Sequence, residues 1–253
     1  MSTIEPRTFE PTRRVLADRI ILVTGAGAGI GRAAAQTFAA HGATVILLGR
    51  TVEKLEAVYD HIVAQGDPEP LIQPLCLLSA KEDKYLEIAN AIDVQFGRLD
   101  GLLHNAGILG PRTSISNYPT SSWQEVLQVN LTAPFELTRA LLPLLKKASD
   151  ASILFTSSGV GRRGRAYWGA YAVAKFGTEG LAQVLSHELE DVSSIRVNCI
   201  NPGATRTTMR AQAYPAEDPA TLKTPEDIMP AYLYLMSSDS AGLSGRSFDA
   251  QDR

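Results

Sequence analysis

Residues 19–31 read Arg19-Ile20-Ile21-Leu22-Val23-Thr24-Gly25-Ala26-Gly27-Ala28-Gly29-Ile30-Gly31, and this stretch decides the fold. Arg19–Thr24 is short, aliphatic and β-branched, the pattern of a buried strand. A glycine-rich turn follows. Ile30–His41 then reads as an alanine-rich helix, closed by Gly42 at the C′ position. In that context the turn is a ready anion site, because backbone N–H groups at the helix start face outward and the helix dipole favours negative charge. Gly25, Gly29 and Gly31 leave room for close backbone approach, although their spacing is Gly-x-x-x-Gly-x-Gly rather than the commoner Gly-x-Gly-x-x-Gly. Alone, the motif fits a tight strand-to-helix turn with no ligand as well as it fits a cradle for a pyrophosphate.

Working outward, strands and helices alternate. Strands are predicted at Thr44–Leu48, Leu71–Leu78, Gly101–His104, Ser152–Thr156 and Arg196–Ile200, with an edge strand at Ser247–Asp249. Helices are predicted from Glu53 to about Gln65, with Thr51 as cap and Gly66 as stop, and over Lys81–Phe96, stopped at Gly97. Two long helices are expected at about 122–147, bent near Pro134 and Pro143, and from Tyr167 to about Val192. A last helix falls at Pro225–Met236. This alternation implies a parallel sheet covered on both faces, an α/β, single-domain, doubly wound Rossmann-like fold. Residues 1–17, with Pro6 and Pro11, read as a poorly structured arm ahead of a domain spanning 18–253.

Bulk properties exclude several classes. A net charge of −3 gives no pull toward nucleic acid or anionic membrane. No apolar run is long enough to span a bilayer, and the start of the chain has no apolar signal core, so the expected location is cytoplasmic. Cys76 and Cys199 are the only cysteines, both in apolar runs, and are expected to be buried reduced thiols. With only four histidines, no metal site is expected.

Two further places carry chemistry. About 20 residues past the turn, where NAD binders place an acidic residue on the ribose, the chain has Leu48-Gly49-Arg50. Arg50 can pair with a 2′-phosphate, which favours NADP(H) while leaving NAD(H) open; the other reading of Arg50 is a solvated residue at a helix start. Downstream, Tyr171 and Lys175 share a helix face at i, i+4 spacing. A free phenol has a pKa of about 10, and a nearby ammonium is expected to lower it. Tyr171 could then move a proton to or from a carbonyl oxygen. Ser158 follows a strand, at the carboxyl edge where ligands bind in this architecture, and can donate to the same oxygen.

The segments TGAGAGIG (24–31), HNAG (104–107), VNL (129–131), SS (157–158), YAVAK (171–175) and NPGATRT (201–207), in this order, resemble the short-chain dehydrogenase/reductases over nearly the whole chain. Within that family the sequence is most similar to the bacterial YciK-like oxidoreductases, sharing GRRGRAYWGAY and the ending FDAQ. The resemblance implies a catalytic group of Asn130, Ser158, Tyr171 and Lys175, with Asn130 holding a water that links Lys175 to solvent. It implies a nicotinamide cofactor held by Gly25, Gly29, Ile30, Gly31, Arg50, Asn105, Gly107, Tyr171, Lys175, Pro202, Gly203 and Thr207. Asn105 and Gly107 lie on the adenosine side in that reading; Pro202 and Gly203 flank the nicotinamide, and Thr207 contacts its amide or the phosphates. It also implies pairing of the two long helices in a homodimer or homotetramer. The chain departs from the family at His104, at Cys76 in place of an adenine-binding Asp, and in the Phe248-Asp249-Ala250-Gln251 ending.

The function expected from these features is NADPH-dependent interconversion of a small or medium carbonyl and its alcohol. The alternative is a nucleotide-binding scaffold or redox sensor with little turnover. Residues 204–224 read as a mobile lid. Arg162, Arg163 and Arg165, with Arg206 or Arg210, are candidate readers of an anionic substrate; the alternative is a solvated loop or a subunit contact.

Overall fold

The computed structural model describes residues 5–252. Seven strands, β1 (Ile20–Thr24), β2 (Thr44–Gly49), β3 (Leu71–Pro74), β4 (Gly101–His104), β5 (Ser152–Thr156), β6 (Arg196–Asn201) and β7 (Ser247–Asp249), form one sheet. All neighbours pair in parallel, in the order β3-β2-β1-β4-β5-β6-β7. The order reverses between β1 and β4, which opens a crevice at the carboxyl ends of those strands.

Side-chain alternation along the strands loads both faces. Ile21 and Val23 of β1 join one core with α1 (Gly29–Ala40), α2 (Val52–Ala64) and a late helix, Met229–Met236. Leu22 joins the other, with α3 (Glu82–Phe96) and the helices at Ala133–Leu145 and Gly169–Leu189. Complete burial of side chains such as Phe38 and Phe155 contributes roughly 1.5–3 kcal/mol each.

The first long helix is broken rather than merely bent. It consists of α4 (Thr120–Leu127), one π-helical turn (Gln128–Thr132) and α5 (Ala133–Leu145). Pro134 has no N–H to return to the carbonyl four residues back, that of Asn130. The Ala133 N–H instead reaches the Gln128 carbonyl, and Thr178 Oγ1 donates to the Asn130 carbonyl at 3.3 Å. Pro143 is absorbed in the last turn of α5 without a break. The second long helix, α6 (Gly169–Leu189), starts two residues later than expected because Tyr167 is left-handed, with φ of 70°. A short α7 (Thr208–Ala213) follows β6, and α8 is Met229–Met236, entered through a 3-10 turn at Glu226–Ile228.

Strand β3 ends at Pro74 rather than Leu78, since proline closes the ladder at this edge. Residues 1–4 of the N-terminal arm lie outside the described residues. Residues 5–17 are not poorly structured: Phe9 stacks on Tyr234 with ring centroids 5.2 Å apart, Leu16 is fully buried, and the Leu16 N–H donates to the His41 carbonyl at 3.1 Å. The prolines prevent a helix but leave two apolar side chains free to bury against α8 and the end of α1.

At the amino edge of the sheet, Asp150 binds two buried guanidiniums, Arg19 before β1 and Arg196 in β6. Ser238 Oγ donates to the same carboxylate at 2.7 Å.

Candidate active site

The crevice between β1 and β4 continues into a cavity of about 410 Å³ along the carboxyl edge of the sheet. Its floor is the glycine turn. Gly25 and Gly29 take positive φ of 69° and 53°, open to glycine at little cost. At Gly31 space is decisive, because a Cβ there would lie 2.2 Å from the Gly25 carbonyl oxygen and 2.5 Å from Asn105 Nδ2. Helix α1 is preceded by Ala28, which has no side-chain acceptor, so its first N–H groups carry no side-chain cap and face the cavity. Thr24 was not singled out in the sequence, yet its hydroxyl latches the two strand ends together. It accepts from the N–H of Asn105 at 2.9 Å and of Ala106 at 3.0 Å, and donates to the Leu103 carbonyl at 3.3 Å.

At the β2 end, Arg50 lines the cavity with Lys54 of α2, and no carboxylate accompanies them there. Thr51 stands at the N-cap of α2 without donating or accepting a side-chain cap bond. Cys199 is buried, but Cys76 is exposed, contrary to the expectation for both thiols. The early end of β3 leaves Cys76 in the loop that rims the cavity. A hydrogen bond with Ser79, and more weakly the charge of Arg50, hold its thiol below the usual range.

At the other end, Ser158 follows β5, and Tyr171 and Lys175 project from α6 into the same cavity. Lys175 Nζ donates to the Thr156 carbonyl at 2.6 Å and lies 5.6 Å from the centroid of the Tyr171 ring. Burial pushes Lys175 down to about 8 and the Tyr171 phenol up to about 12, with a hydrogen bond from Ser158 acting the other way on Tyr171. The lowering expected from Lys175 is not seen; the only opposing influence is the Ser158 hydrogen bond, burial outweighs it, and the phenol rests protonated. Asn130 does not face the cavity. Its side chain clamps the loop after β4, accepting from the Ile108 N–H and donating to the Ile108 carbonyl, both at 2.8 Å. Gly31 likewise lies behind the lining, while Gly25, Gly29, Ile30, Arg50, Asn105, Gly107, Pro202, Gly203 and Thr207 all line it.

Thr207 caps α7, accepting from the Arg210 N–H at 3.1 Å, and its methyl would meet a Cβ at Gly29 at 3.4 Å. Gln251, part of the departing C-terminal sequence, holds this loop by donating to the carbonyls of Pro202 at 2.6 Å and Ala204 at 3.2 Å. Residues 204–224 are braced internally, through Arg210 with Glu217 and through Arg206 donating to the Pro219, Ala220 and Leu222 carbonyls. Arg162 bonds to Asp249, Ser247 and the Phe248 carbonyl, and Arg163 and Arg165 are exposed. Arg162, Arg206 and Arg210 are thus bonded within the protein, and Arg210 also lines the cavity.

His104 is buried, stacks on Phe155 at 4.7 Å and shares a hydrogen bond of 2.8 Å with Thr138 Oγ1. Burial, and secondarily the charge of Lys175, push its pKa from 6.5 to about 3. The unfolded chain takes up this proton as pH falls below 6.5 and the folded chain does not until about 3. Stability contributed by the neutral ring is present above that window and lost going down through it, at up to about 1.4 kcal/mol per pH unit. His104→Asn is expected to flatten that part of the acid limb in urea melts taken across the window; an unchanged slope would remove His104 as its source.

Among the described residues no group of His, Cys, Asp and Glu could hold a metal ion, and no helix is long and apolar enough to cross a membrane. The family model for short chain dehydrogenase matches residues 19–218. The chain is 55% identical to the uncharacterized oxidoreductase YciK of Escherichia coli strain K12, over 96% of both chains. A crystal structure described as a short chain dehydrogenase from Shigella flexneri, complexed with NADP, superposes with a TM-score of 0.93 at 54% identity, covering 95% of this chain and 100% of that one. Another, from Escherichia coli and complexed with NADPH, gives 0.93 at 55% identity, covering 96% of this chain and 100% of that one.

Proposed function

The chain belongs to the short chain dehydrogenase family, and from that premise we propose that it is an NADPH-dependent oxidoreductase that interconverts a small or medium carbonyl and its alcohol. The observation that carries this reading is the convergence of Ser158, Tyr171 and Lys175 on the cavity that begins at the glycine turn. The cavity suits a phosphorylated dinucleotide. It offers uncapped N–H groups at α1 for a pyrophosphate, and Arg50 with Lys54, without a carboxylate, for a 2′-phosphate. The structures of similar proteins with NADP and NADPH support the same choice; NAD(H) is the weaker option.

A bound nicotinamide supplies the hydride. The chain's own residues do the rest. Tyr171, protonated at rest, gives its proton to the carbonyl oxygen and takes one back in the reverse direction. Ser158 donates a hydrogen bond to that oxygen, favouring the charge that develops there. Lys175, fixed on the Thr156 carbonyl, places a positive charge beside the phenolate that remains. Asn130 sets the loop that carries Gly107 and Ile108. Its main-chain carbonyl, which Pro134 leaves without a helical N–H and which accepts from Thr178 Oγ1, keeps a second lone pair to accept a water in a proton relay.

Fluorescence titration with NADPH and NADH tests the cofactor. NADPH is expected to bind more tightly, and Arg50→Asp to lose roughly 10- to 100-fold in NADPH affinity, the worth of a charged hydrogen bond. An NADH preference in the wild type would overturn the assignment of Arg50 but leave the proton chemistry intact.

We further propose a homodimer or homotetramer located in the cytoplasm. Phe135 of α5 and Val173, Phe176 and Val184 of α6 are each about half exposed, an apolar strip on the two helices that the family resemblance pairs. Phe176→Glu is expected to shift the protein toward monomer in light scattering; an unaltered mass would place the contact elsewhere.

A further inference from the structure

We propose that Arg112 reads a carboxylate or phosphate on the substrate, so that the preferred substrate is an anionic carbonyl or alcohol. The proposal rests on the oxidoreductase reading above and names its substrate class.

Arg112 lies in the loop after β4. Its guanidinium carbon is 4.6 Å from the centroid of the Trp168 ring and 5.1 Å from that of Tyr214. The Trp168 ring in turn lies 5.7 Å from the ring of Tyr171. One terminal nitrogen donates to the Ala213 carbonyl at the end of α7. Among the described residues no carboxylate pairs with Arg112, and its other N–H groups have no protein acceptor. Arg162 and Arg210 are paired with acids, and Arg206 is spent on three carbonyls.

Arg112 and Gln212 line a chamber that adjoins the nucleotide cleft, with which it shares Arg50, Met209 and residues 107–109. Trp168 and Tyr171 line the nucleotide cavity and Arg112 lines the adjoining chamber. The Trp168 ring, in contact with both Tyr171 and Arg112, bridges the two, so a molecule with its carbonyl at Tyr171 can reach Arg112 by passing along that ring. The aromatic rings hold the guanidinium of this exposed residue, while the fork of N–H donors keeps a free edge suited to a planar carboxylate or a phosphate. Lysine offers only a point charge in that place.

Two other duties are open to this side chain, latching α7 through Ala213 and contacting a nucleotide phosphate, and the test separates them. Phenylglyoxylate and methyl phenylglyoxylate are similar in shape and differ in charge. Each is titrated by calorimetry into the full chain saturated with NADP⁺, where no hydride is available. The wild type is expected to bind the anion roughly 10- to 100-fold more tightly than the ester, the range of a charge-assisted hydrogen bond. Arg112→Met is expected to abolish that preference without changing NADP⁺ affinity, and Arg112→Lys to keep part of it. The proposal is overturned if the wild type shows no preference for the anion, including by binding neither probe, or if Arg112→Met retains it. It is also overturned if Arg112→Met weakens NADP⁺ and both probes alike, which assigns the guanidinium to the latch or to the cofactor. Turnover with NADPH is read separately. Anion preference without reduction of any carbonyl would sink the oxidoreductase reading and leave the anion site, whereas reduction without anion preference would do the reverse.

Discussion

Tyr171→Phe is expected to lower kcat/KM by at least about 10²- to 10⁴-fold, the usual worth of a positioned general acid, while NADPH binding stays close to wild type. The substitution removes one hydroxyl and keeps the ring. The ring packs against Trp168 in a cluster with Val126, Val160 and Ala213, so the wall of the cavity is preserved. Lys175 is held by the Thr156 carbonyl rather than by the phenol, so its position does not depend on the hydroxyl. What disappears is the proton. Since burial raises the phenol to about 12, it is protonated throughout the neutral range, and in the proposed reaction the proton would come from this resting form. Steady-state rates beside a fluorescence titration decide the matter. A joint failure of turnover and binding would mean that Tyr171 shapes the nucleotide site instead of serving the reaction.

Gly31→Ala is expected to fail in two ways. The added methyl would sit 2.2 Å from the Gly25 carbonyl and 2.5 Å from the Asn105 amide nitrogen. The carbonyl belongs to the backbone and cannot rotate aside, so either the turn or the start of α1 must move. Overpacking of this kind costs about 1–3 kcal/mol, visible as a lower Tm. Movement also strains the Asn105 hydrogen bond to the Thr24 carbonyl and withdraws the α1 N–H groups from a pyrophosphate. A hydrogen bond to a charged group contributes about 1.5–3 kcal/mol, so NADPH affinity is expected to fall by at least roughly ten-fold when one is broken. Gly164→Ala is the control, because a Cβ there meets nothing within 4 Å. If Gly31→Ala melts and binds like the control, the close approach at the turn has no functional weight.

Much of this architecture was legible because it is written locally. The aliphatic run before Gly25 gives β1, and Gly97, in the left-handed conformation at the end of α3, stops that helix where expected. The placement of Tyr171, Lys175 and Ser158 in one cavity follows from strand order and helical spacing alone. What escaped depends on distant partners. Nothing near Arg162 announces Asp249, 87 residues away, or shows that Arg206 turns back onto its own loop. Pro6 and Pro11 forbid a helix but say nothing about where Phe9 will rest. The π-helical turn was signalled only as a proline, and that proline leaves the Asn130 carbonyl without a helical N–H, so that Thr178 Oγ1 supplies its donor instead. Arg112 escaped because an arginine beside a proline in a loop carries no mark of the two rings that hold it.

The charge cluster around Asp150 has an evolutionary consequence. It ties the amino ends of β1 and β6 together, at the opposite edge of the sheet from every loop that lines the cavity. Drift in residues 204–224 or in the loop after β4 therefore leaves that anchor untouched. A lineage with this arrangement can exchange one substrate for another by altering its rim while its sheet stays in register, and a mutational library confined to those loops should yield folded proteins with divergent preferences.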